Sequence, residues 1–141
     1  MTGSKTLLVL IVTLLLAGCD SPNSSVDPTK ESPELVTIRT DQDRYSPNDE
    51  ITIIIRNGMG EAIEYYGSCS LTLCQFTDGD WMCAVKDCSG PRVVLPSGET
   101  SRLVDRIDSS TGGPLRYQFE YFVLSSDSLR TIQSNEFIVE P

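Results

Sequence analysis

Three features of the sequence predict an all-β domain from residue 34 onward, an antiparallel β-sandwich of about seven to nine strands. Apolar and polar residues alternate in short segments, as they do at Ile51, Ile53 and Ile55. Turn residues return about every 8 to 12 positions. No window shows sustained helical periodicity, so the apolar residues favour strands that have one buried face.

Alternation and turn residues place the first strands in order. Residues 35–39 form a short apolar strand, and residues 41–49 form a turn around a proline. Residues 50–56 are the clearest strand, because three isoleucines share one face and Asn57-Gly58 ends the run. Residues 62–66 alternate again and predict a further strand.

Asp78-Gly79 predicts a tight hairpin between strands at residues 70–76 and 81–86. A type I′ turn needs positive φ at both central residues, and Asp-Gly is one of the pairs that such turns prefer. If these two residues form the turn, each residue before it has one partner after it. Phe76 then lies opposite Trp81, a favourable aromatic cross-strand pair.

The rest of the chain supplies strands at residues 93–95, 100–107, 116–124 and 137–139. The turn Pro96-Ser97-Gly98 follows the first of these. Aromatic and apolar side chains share one face of the third strand, at Tyr117, Phe119, Tyr121 and Val123. A stripe of this kind is more often the core face of a central strand than a ligand platform, so we expect it to be buried.

Besides Cys19, the chain has four cysteines, which the hairpin register brings together in two pairs. Cys74 falls opposite Cys83, and Cys69 falls opposite Cys88. Opposed residues have Cα atoms about 4.5–5.5 Å apart, within the range that a disulfide spans. Partners five residues apart on one strand would be roughly 16 Å apart. We therefore predict nested disulfides; a four-cysteine zinc site or redox cysteines are the alternatives, although Cys-x-x-Cys is absent.

The N-terminal residues predict an export signal. Lys5 precedes residues 7–16, an apolar run too short to cross a bilayer but typical of a signal peptide. Leu16-Ala17-Gly18-Cys19 resembles the lipobox of bacterial lipoproteins, in which the cysteine thiol accepts a diacylglyceryl group. The resemblance implies a signal peptide at 1–18 and a membrane anchor on Cys19. An ordinary signal peptide with a chance cysteine, or an uncleaved N-terminal anchor, is the alternative.

Two further segments follow the signal. Residues 19–33 are polar, punctuated by proline and nearly free of apolar side chains, so they predict a lipidated N-terminus and a flexible linker. Residues 34–141 are long enough for one domain with its own core and too short for two.

The charge and composition argue against several functions. The chain has 11 basic and 20 acidic residues and a net charge of −9, and it has no histidine. Such a surface is unlike a nucleic-acid-binding one and argues against docking on anionic headgroups. Without histidine, Ser-His and Cys-His nucleophile pairs are excluded. Three pairs of carboxylates lie at expected turns or strand ends, which indicates solvated loop charge: Asp41/Asp43, Asp78/Asp80 and Glu61/Glu64. We therefore predict no enzyme, no cofactor and no metal site.

Residues 35–140 resemble the immunoglobulin-like domains of small bacterial envelope lipoproteins. The resembling motifs are, in order, Tyr45-Ser46-Pro47-Asn48-Asp49-Glu50 before an apolar strand that ends at Asn57, residues 63–69 before a cysteine, Trp81 after a glycine turn, Leu95-Pro96-Ser97-Gly98-Glu99, and residues 116–119 and 135–139 in the last strands. The resemblance implies an immunoglobulin-like β-sandwich and brings no shared catalytic residues. Asn48 departs from the usual glycine, and the Cys74/Cys83 pair looks like an addition.

Together these features predict a non-enzymatic lipoprotein that is anchored to a membrane of the bacterial envelope and faces the periplasm or the cell surface. Its expected partners are the lipid bilayer, through acylated Cys19, and an unidentified envelope protein or surface component. A protease-inhibitor module that uses the hairpin or residues 108–114, or a hydrolase that uses carboxylates alone, is the alternative. The candidate binding surface comprises Tyr65, Tyr66, Asp78, Gly79 and Trp81. For the two tyrosines, the simpler expectation is that one lies in the core and the other on the surface.

Overall fold

The computed structural model describes residues 35–107 and 113–140 of the chain. The expected signal peptide at 1–18, the acylation site Cys19 and the linker at 19–33 lie outside the described residues, as does most of the expected loop at 108–114. Among the described residues, no helix is long and apolar enough to span a membrane.

The described residues fold almost entirely into β-structure, as the sequence predicts. The only helical element among them is the short 3₁₀ helix Gly67–Ser70. The strands are β1 Val36–Thr40, β2 Arg44–Tyr45, β3 Glu50–Asn57, β4 Ile63–Tyr65, β5 Leu71–Thr77, β6 Asp80–Cys83, β7 Val93–Leu95, β8 Thr100–Arg106, β9 Leu115–Val123, β10 Ser128–Gln133 and β11 Ile138–Val139.

The strands form two antiparallel sheets. The three-stranded sheet has the order β1-β3-β8. In the larger sheet, β10 pairs with one edge of β9, and both β4 and β5 pair with the other edge. β7 then pairs with β4, and β6 pairs with β5. A short parallel pair, β2 with β11, lies apart from both sheets.

The core lies where β3 and β9 present their apolar faces. Ile51, Ile53 and Ile55 on β3 are at most 1% exposed, which confirms the face that their spacing predicts. The predicted stripe on β9 is equally buried, with Tyr117, Phe119, Tyr121 and Val123 between 0 and 4% exposed. The aromatic stripe is therefore core, and it does not form a ligand platform.

Two neighbouring strand positions of the larger sheet are interrupted side by side. β4 and β5 run in the same direction, and the 3₁₀ helix Gly67–Ser70 separates them. On the next position outward, residues 84–92 separate β6 from β7 in the same way. The sheet thus has an edge where two irregular segments lie next to each other.

The structure corrects three details of the predicted strands. β2 lies inside residues 41–49, which the sequence assigns to a turn, and β10 is not predicted. β10 escapes prediction because it is a largely exposed edge strand, with no alternating apolar face to mark it. The second hairpin strand ends at Cys83, so residues 84–86 do not extend it.

The two ends of the domain are well separated. At the hairpin end, the amide of Phe76 donates to Pro114 O at 2.9 Å, and the amide of Thr40 donates to Asn135 Oδ1 at 2.8 Å. At the N-terminal end, where β1 begins, the amide of Gly58 donates to Leu35 O at 3.1 Å. β3 runs the whole way between these ends, about 26 Å for its eight residues.

Candidate functional site

The hairpin forms with the predicted turn and register. Asp78 and Gly79 have φ of 55° and 89°, the pair of positive values that a type I′ turn requires. The ladder pairs Thr77 with Asp80, and it also pairs Phe76 with Trp81. Glycine is favoured at position 79 because residues that have a Cβ rarely adopt a φ of 89°.

Both predicted disulfides are present. Cys74 and Cys83 pair across the hairpin with Cα atoms 4.0 Å apart, and Cys69 and Cys88 pair with Cα atoms 5.6 Å apart. The outer pair does not lie in the hairpin ladder as predicted, because the paired residues of the ladder end at Cys74 and Cys83. Cys69 lies in the 3₁₀ helix, and Cys88 lies in the irregular residues 84–92. The outer disulfide thus joins the two interruptions of the sheet.

Aromatic side chains and an arginine form a platform on the outer face of the hairpin. The rings of Phe76 and Trp81 have centroids 5.4 Å apart. The guanidinium carbon of Arg116 lies 3.9 Å from the centre of the Trp81 ring, a cation–π contact. Phe76 is 39% exposed, and Trp81 is half-buried. We name Phe76, Trp81 and Arg116 the hairpin platform.

A groove runs beside the hairpin platform. A cavity of about 150 Å³ is lined by Phe76, Trp81, Pro114 and Glu136. A second cavity of about 310 Å³ shares Pro114 and Glu136 and continues to Asp43, Arg44, Phe137 and Ile138. An apolar wall with a few convergent polar groups is the usual composition of a binding site. We name the two cavities together the hairpin groove.

Glycine at position 113 allows the groove to form. Gly113 has φ of 95°, and a Cβ at this position would lie 3.2 Å from the carbonyl oxygen of Phe76. The chain therefore approaches the hairpin more closely than another residue would allow. This approach brings Pro114 against Phe76 and sets one wall of the groove.

The two tyrosines of the predicted surface have different environments. Tyr65 is 2% exposed, and its hydroxyl donates to Ser101 Oγ at 2.8 Å across the two sheets. Tyr65 is therefore a core residue, and it does not belong to a binding surface. Tyr66 is half-buried, and it packs edge-on against Phe122. Both lie on the N-terminal side of the 3₁₀ helix, away from the hairpin turn.

Arg92 ties several elements of the larger sheet together near Tyr66. Its guanidinium donates to Asp127 at 2.9 Å, to Glu64 at 3.1 Å and to the Tyr66 hydroxyl at 3.3 Å. It also stacks on Phe122, with its central carbon 3.8 Å from the ring centre. The hydrogen bonds to Tyr66, Asp127 and Glu64 raise the pKa of Arg92 above its ordinary value. Because Nε and Nη1 are engaged in these three hydrogen bonds and the ring of Phe122 covers the guanidinium, Arg92 is better suited to joining these elements than to ligand binding.

The acidic pairs that the sequence singles out take part in structural contacts. Asp41 accepts hydrogen bonds from the Tyr45 hydroxyl and the Thr52 amide, and Glu64 pairs with Arg92. Glu61 accepts from the Ser125 amide. Within residues 35–107 and 113–140, no three His, Cys, Asp or Glu side chains are placed to hold a metal ion.

Sequence reasoning finds part of this site and misses the rest. The predicted Asp78, Gly79 and Trp81 lie at the hairpin, together with Phe76. Arg116 and Glu136 are missed, because Arg116 reaches the site through the pairing of β5 with β9, and Glu136 through the bridge between Leu115 of β9 and Phe137. The register between Cys74 and Arg116 is a long-range contact that no local pattern in the sequence signals.

Comparison with known proteins adds little. No protein-family model matches the chain, and no curated protein matches it significantly. Among solved structures, the chain is similar to Spo0M, a sporulation control protein from Bacillus subtilis, with 13% identity and a TM-score of 0.45. That match covers 75% of this chain and spans about half, 49%, of the Spo0M chain. What the protein does must therefore be inferred from its own residues.

Proposed function

We propose that this protein is a lipid-anchored lipoprotein of the bacterial envelope, which uses the hairpin platform and groove to contact another envelope component without catalysis. The observation that carries the proposal is a rigid, aromatic surface at the hairpin end. Two disulfides and a type I′ turn fix the backbone there, while Phe76 remains 39% exposed beside Trp81. Aromatic side chains, methionine and arginine are enriched at interfaces.

Rigidity matters because a preorganised surface loses little conformational entropy on binding. The inner disulfide fixes the hairpin strands, and the contact of Arg116 with Trp81 restrains the ring. The groove beside the ring offers two carboxylates, Asp43 and Glu136, and one guanidinium, Arg44, to a partner. A partner that places an apolar group against Phe76 and a polar group in the groove would fit this surface.

The topology supports the finer proposal that the fold is immunoglobulin-like. In such domains, the first, second and fifth strands share one sheet, and the last two strands share the other sheet with the third. Here β1, β3 and β8 have the first arrangement, and β10, β9 and the interrupted pair β4/β5 have the second. β6 and β7 then correspond to the extra edge strand of variable-type domains.

The membrane anchor depends on Cys19 and its lipobox, Leu16-Ala17-Gly18-Cys19. Several acyl chains on one cysteine would hold the protein durably on a membrane. Metabolic labelling with palmitate, followed by mass spectrometry of the mature N-terminus, tests this part of the proposal. Cys19→Ala should abolish labelling, whereas the same change at Cys69 should not.

The contact surface is tested by site-specific photocrosslinking in cells that make the full-length lipoprotein. An aromatic photoreactive amino acid in place of Phe76, which is 39% exposed on the platform itself, should give one dominant crosslinked product, and Trp81→Ala in the same chain should remove it. Leu129 supplies the control, because it is 54% exposed on β10, far from the hairpin. A probe at Leu129 that gives the same product as the probe at Phe76 would contradict the proposed surface.

A protease inhibitor is distinguished by the identity and fate of the crosslinked partner. An inhibitory hairpin would block the active site of its target, so a captured protease should lose activity stoichiometrically in the presence of the purified protein. A captured non-protease, or a protease that stays active, supports a contact module instead.

A further inference from the structure

We propose that the outer face of the three-stranded sheet binds the phosphate headgroups of the membrane to which the protein is anchored. Three arginines carry this proposal: Arg39 on β1, Arg56 on β3 and Arg102 on β8. The proposal rests on the proposed anchoring through Cys19, and it adds a second, electrostatic contact between the folded domain and the lipid.

The sheet register brings the three arginines together. Arg39 and Arg102 both pair with Ile54, one from each side, so they flank its side chain on one face. Two residues further along β3, Arg56 pairs with Thr37 and Thr100. Side chains two residues apart on a strand point to the same face. These residues line a shallow cavity of about 230 Å³, with Ile54 as its floor.

The charge of this face is unusual for so acidic a protein. Arg44 pairs with Glu140 and Arg92 with two carboxylates, and Arg106, at the hairpin end of the same face, pairs with Glu50. Within the part of the chain that the structure describes, no carboxylate forms an ion pair with Arg39 or Arg102. Two guanidinium groups thus remain on one face without an internal partner, in a chain with 20 acidic residues.

The arginines also lie toward the end of the domain that is attached to the anchor. Along this face, Glu50 and Asp41 lie toward the hairpin end, whereas Arg56 lies beside the beginning of β1. The chain from Cys19 joins the domain at β1, so this end is the one tethered to the membrane. If residues 19–33 form the flexible linker that their composition predicts, their root-mean-square span is about 22 Å. The tether therefore keeps the arginine face within reach of the headgroups.

The chemistry of the face suits phosphate. A guanidinium forms two parallel hydrogen bonds to phosphate oxygens, and it is less strongly hydrated than an ammonium. The hydroxyls of Thr37 and Thr100 add short donors on either side of Arg56. Net charge alone argues against docking on anionic lipid, but it averages over the molecule, whereas headgroups interact with a local patch within a Debye length of about 8 Å.

The test uses the mature, acylated protein in lipid vesicles, with a photoreactive amino acid at Val104, which is 59% exposed on the same sheet. In vesicles with about one-fifth phosphatidylglycerol, the yield of lipid crosslinks should be about fivefold that in pure phosphatidylcholine. Arg39→Gln with Arg102→Gln should reduce the yield to the phosphatidylcholine value. Arg106→Gln with Arg130→Gln changes the net charge equally and should have little effect.

Flotation of the same vesicles separates this proposal from the anchoring on which it rests. A wild-type protein that floats but crosslinks equally in both lipids overturns only the arginine contact, as does an equal loss of crosslinks in the control pair. A wild-type protein that fails to float lacks the anchor, which overturns both proposals. An unchanged melting temperature in all variants shows that any loss of crosslinks is not caused by unfolding.

Discussion

At the scale of single residues, Asn57 holds the N-terminal end of the domain together. Its side chain is fully buried, and its Nδ2 donates to Glu61 O at 2.8 Å and to Leu95 O at 3.0 Å. Its Oδ1 accepts from the Met59 amide at 3.0 Å. One side chain thus connects the end of β3 with the beginning of β4 and the end of β7, which belong to the other sheet.

Asn57→Ala should lower the free energy of unfolding by about 2–3 kcal/mol, because it leaves buried backbone groups without partners. Asn57→Asp should cost more, since a carboxylate would face two carbonyl oxygens in a buried site. Urea denaturation at neutral pH measures both effects. Gln133→Ala, at an exposed position, is the control, and an equal loss there would contradict the role of Asn57.

Asp41 and Tyr45 form a hydrogen-bonded pair that links stability to pH. The Tyr45 hydroxyl donates to Asp41 Oδ1 at 2.7 Å and accepts from the Gln42 amide at 2.9 Å. This hydrogen bond lowers the pKa of Asp41 below its ordinary value of 3.8. Burial, followed by the hydrogen bond to Asp41, raises the pKa of Tyr45 to about 12.

We expect Tyr45→Phe to flatten the pH dependence of stability at both extremes. A lowered Asp41 pKa stabilises the fold at neutral pH, and this contribution is lost as the pH falls below about 4. A raised Tyr45 pKa stabilises the fold below pH 10, and this contribution is lost as the pH rises toward 12. Urea midpoints between pH 2 and 11 measure the change. Parallel profiles for the variant and the wild type would contradict the linkage.

At the scale of elements, the two disulfides stabilise different parts of the sheet. The inner one joins strands that are already paired through a favourable turn, so it reinforces an existing ladder. The outer one joins the 3₁₀ helix to residues 84–92, for which the ladder supplies no pairing beyond the hydrogen bond from Ala84 N to Leu73 O. Residues 84–87 are exposed, and Val85 is 95% exposed.

Removing either disulfide should cost about 3 kcal/mol, because the sequence separations of 9 and 19 residues differ twofold and the entropy of loop closure depends only logarithmically on length. Local effects should differ. Cys69→Ser with Cys88→Ser should make residues 84–92 sensitive to limited proteolysis, whereas Cys74→Ser with Cys83→Ser should leave them protected. Mass spectrometry of the first cleavage site distinguishes the two. Equal sensitivity in both double variants would show that the outer disulfide does not anchor this segment.

Elements with a local signal are predictable from the sequence, and elements that depend on partners are not. Alternation finds β3 and β9, and Asp78-Gly79 finds the hairpin and both disulfide pairings, because each pattern depends on residues close in sequence. β10 and the 3₁₀ helix lack such patterns. For the same reason, Trp81 is predicted as a site residue, but the contact with Arg116, supplied by a distant strand, is not.

At the scale of the whole molecule, the two proposed surfaces lie on different sheets and toward opposite ends. The arginine face belongs to the three-stranded sheet and extends to the end where the tether joins. The hairpin platform belongs to the outer face of the larger sheet, at the other end. A domain held by its arginine face would therefore present the hairpin away from the membrane, where a partner can reach it.

This arrangement predicts that the two contacts are energetically independent. The length of β3, about 26 Å, is roughly three Debye lengths at physiological salt, so a charge change at one end is screened at the other. Mutations at such a distance with no shared contacts are normally additive. Arg39→Gln with Arg102→Gln should leave the protein crosslink from the probe at position 76 unchanged, and Trp81→Ala should leave the lipid crosslink from Val104 unchanged.

Both crosslinks can be measured in one experiment on cells or vesicles that carry the four combinations of these changes. Independence requires that the combined variant lose each crosslink by the same factor as the corresponding single change. If losing the arginines also weakens the protein crosslink, the domain must be oriented by the membrane before its partner can bind. The hairpin would then act only when the arginine face is docked, and the two surfaces would form one membrane-dependent site.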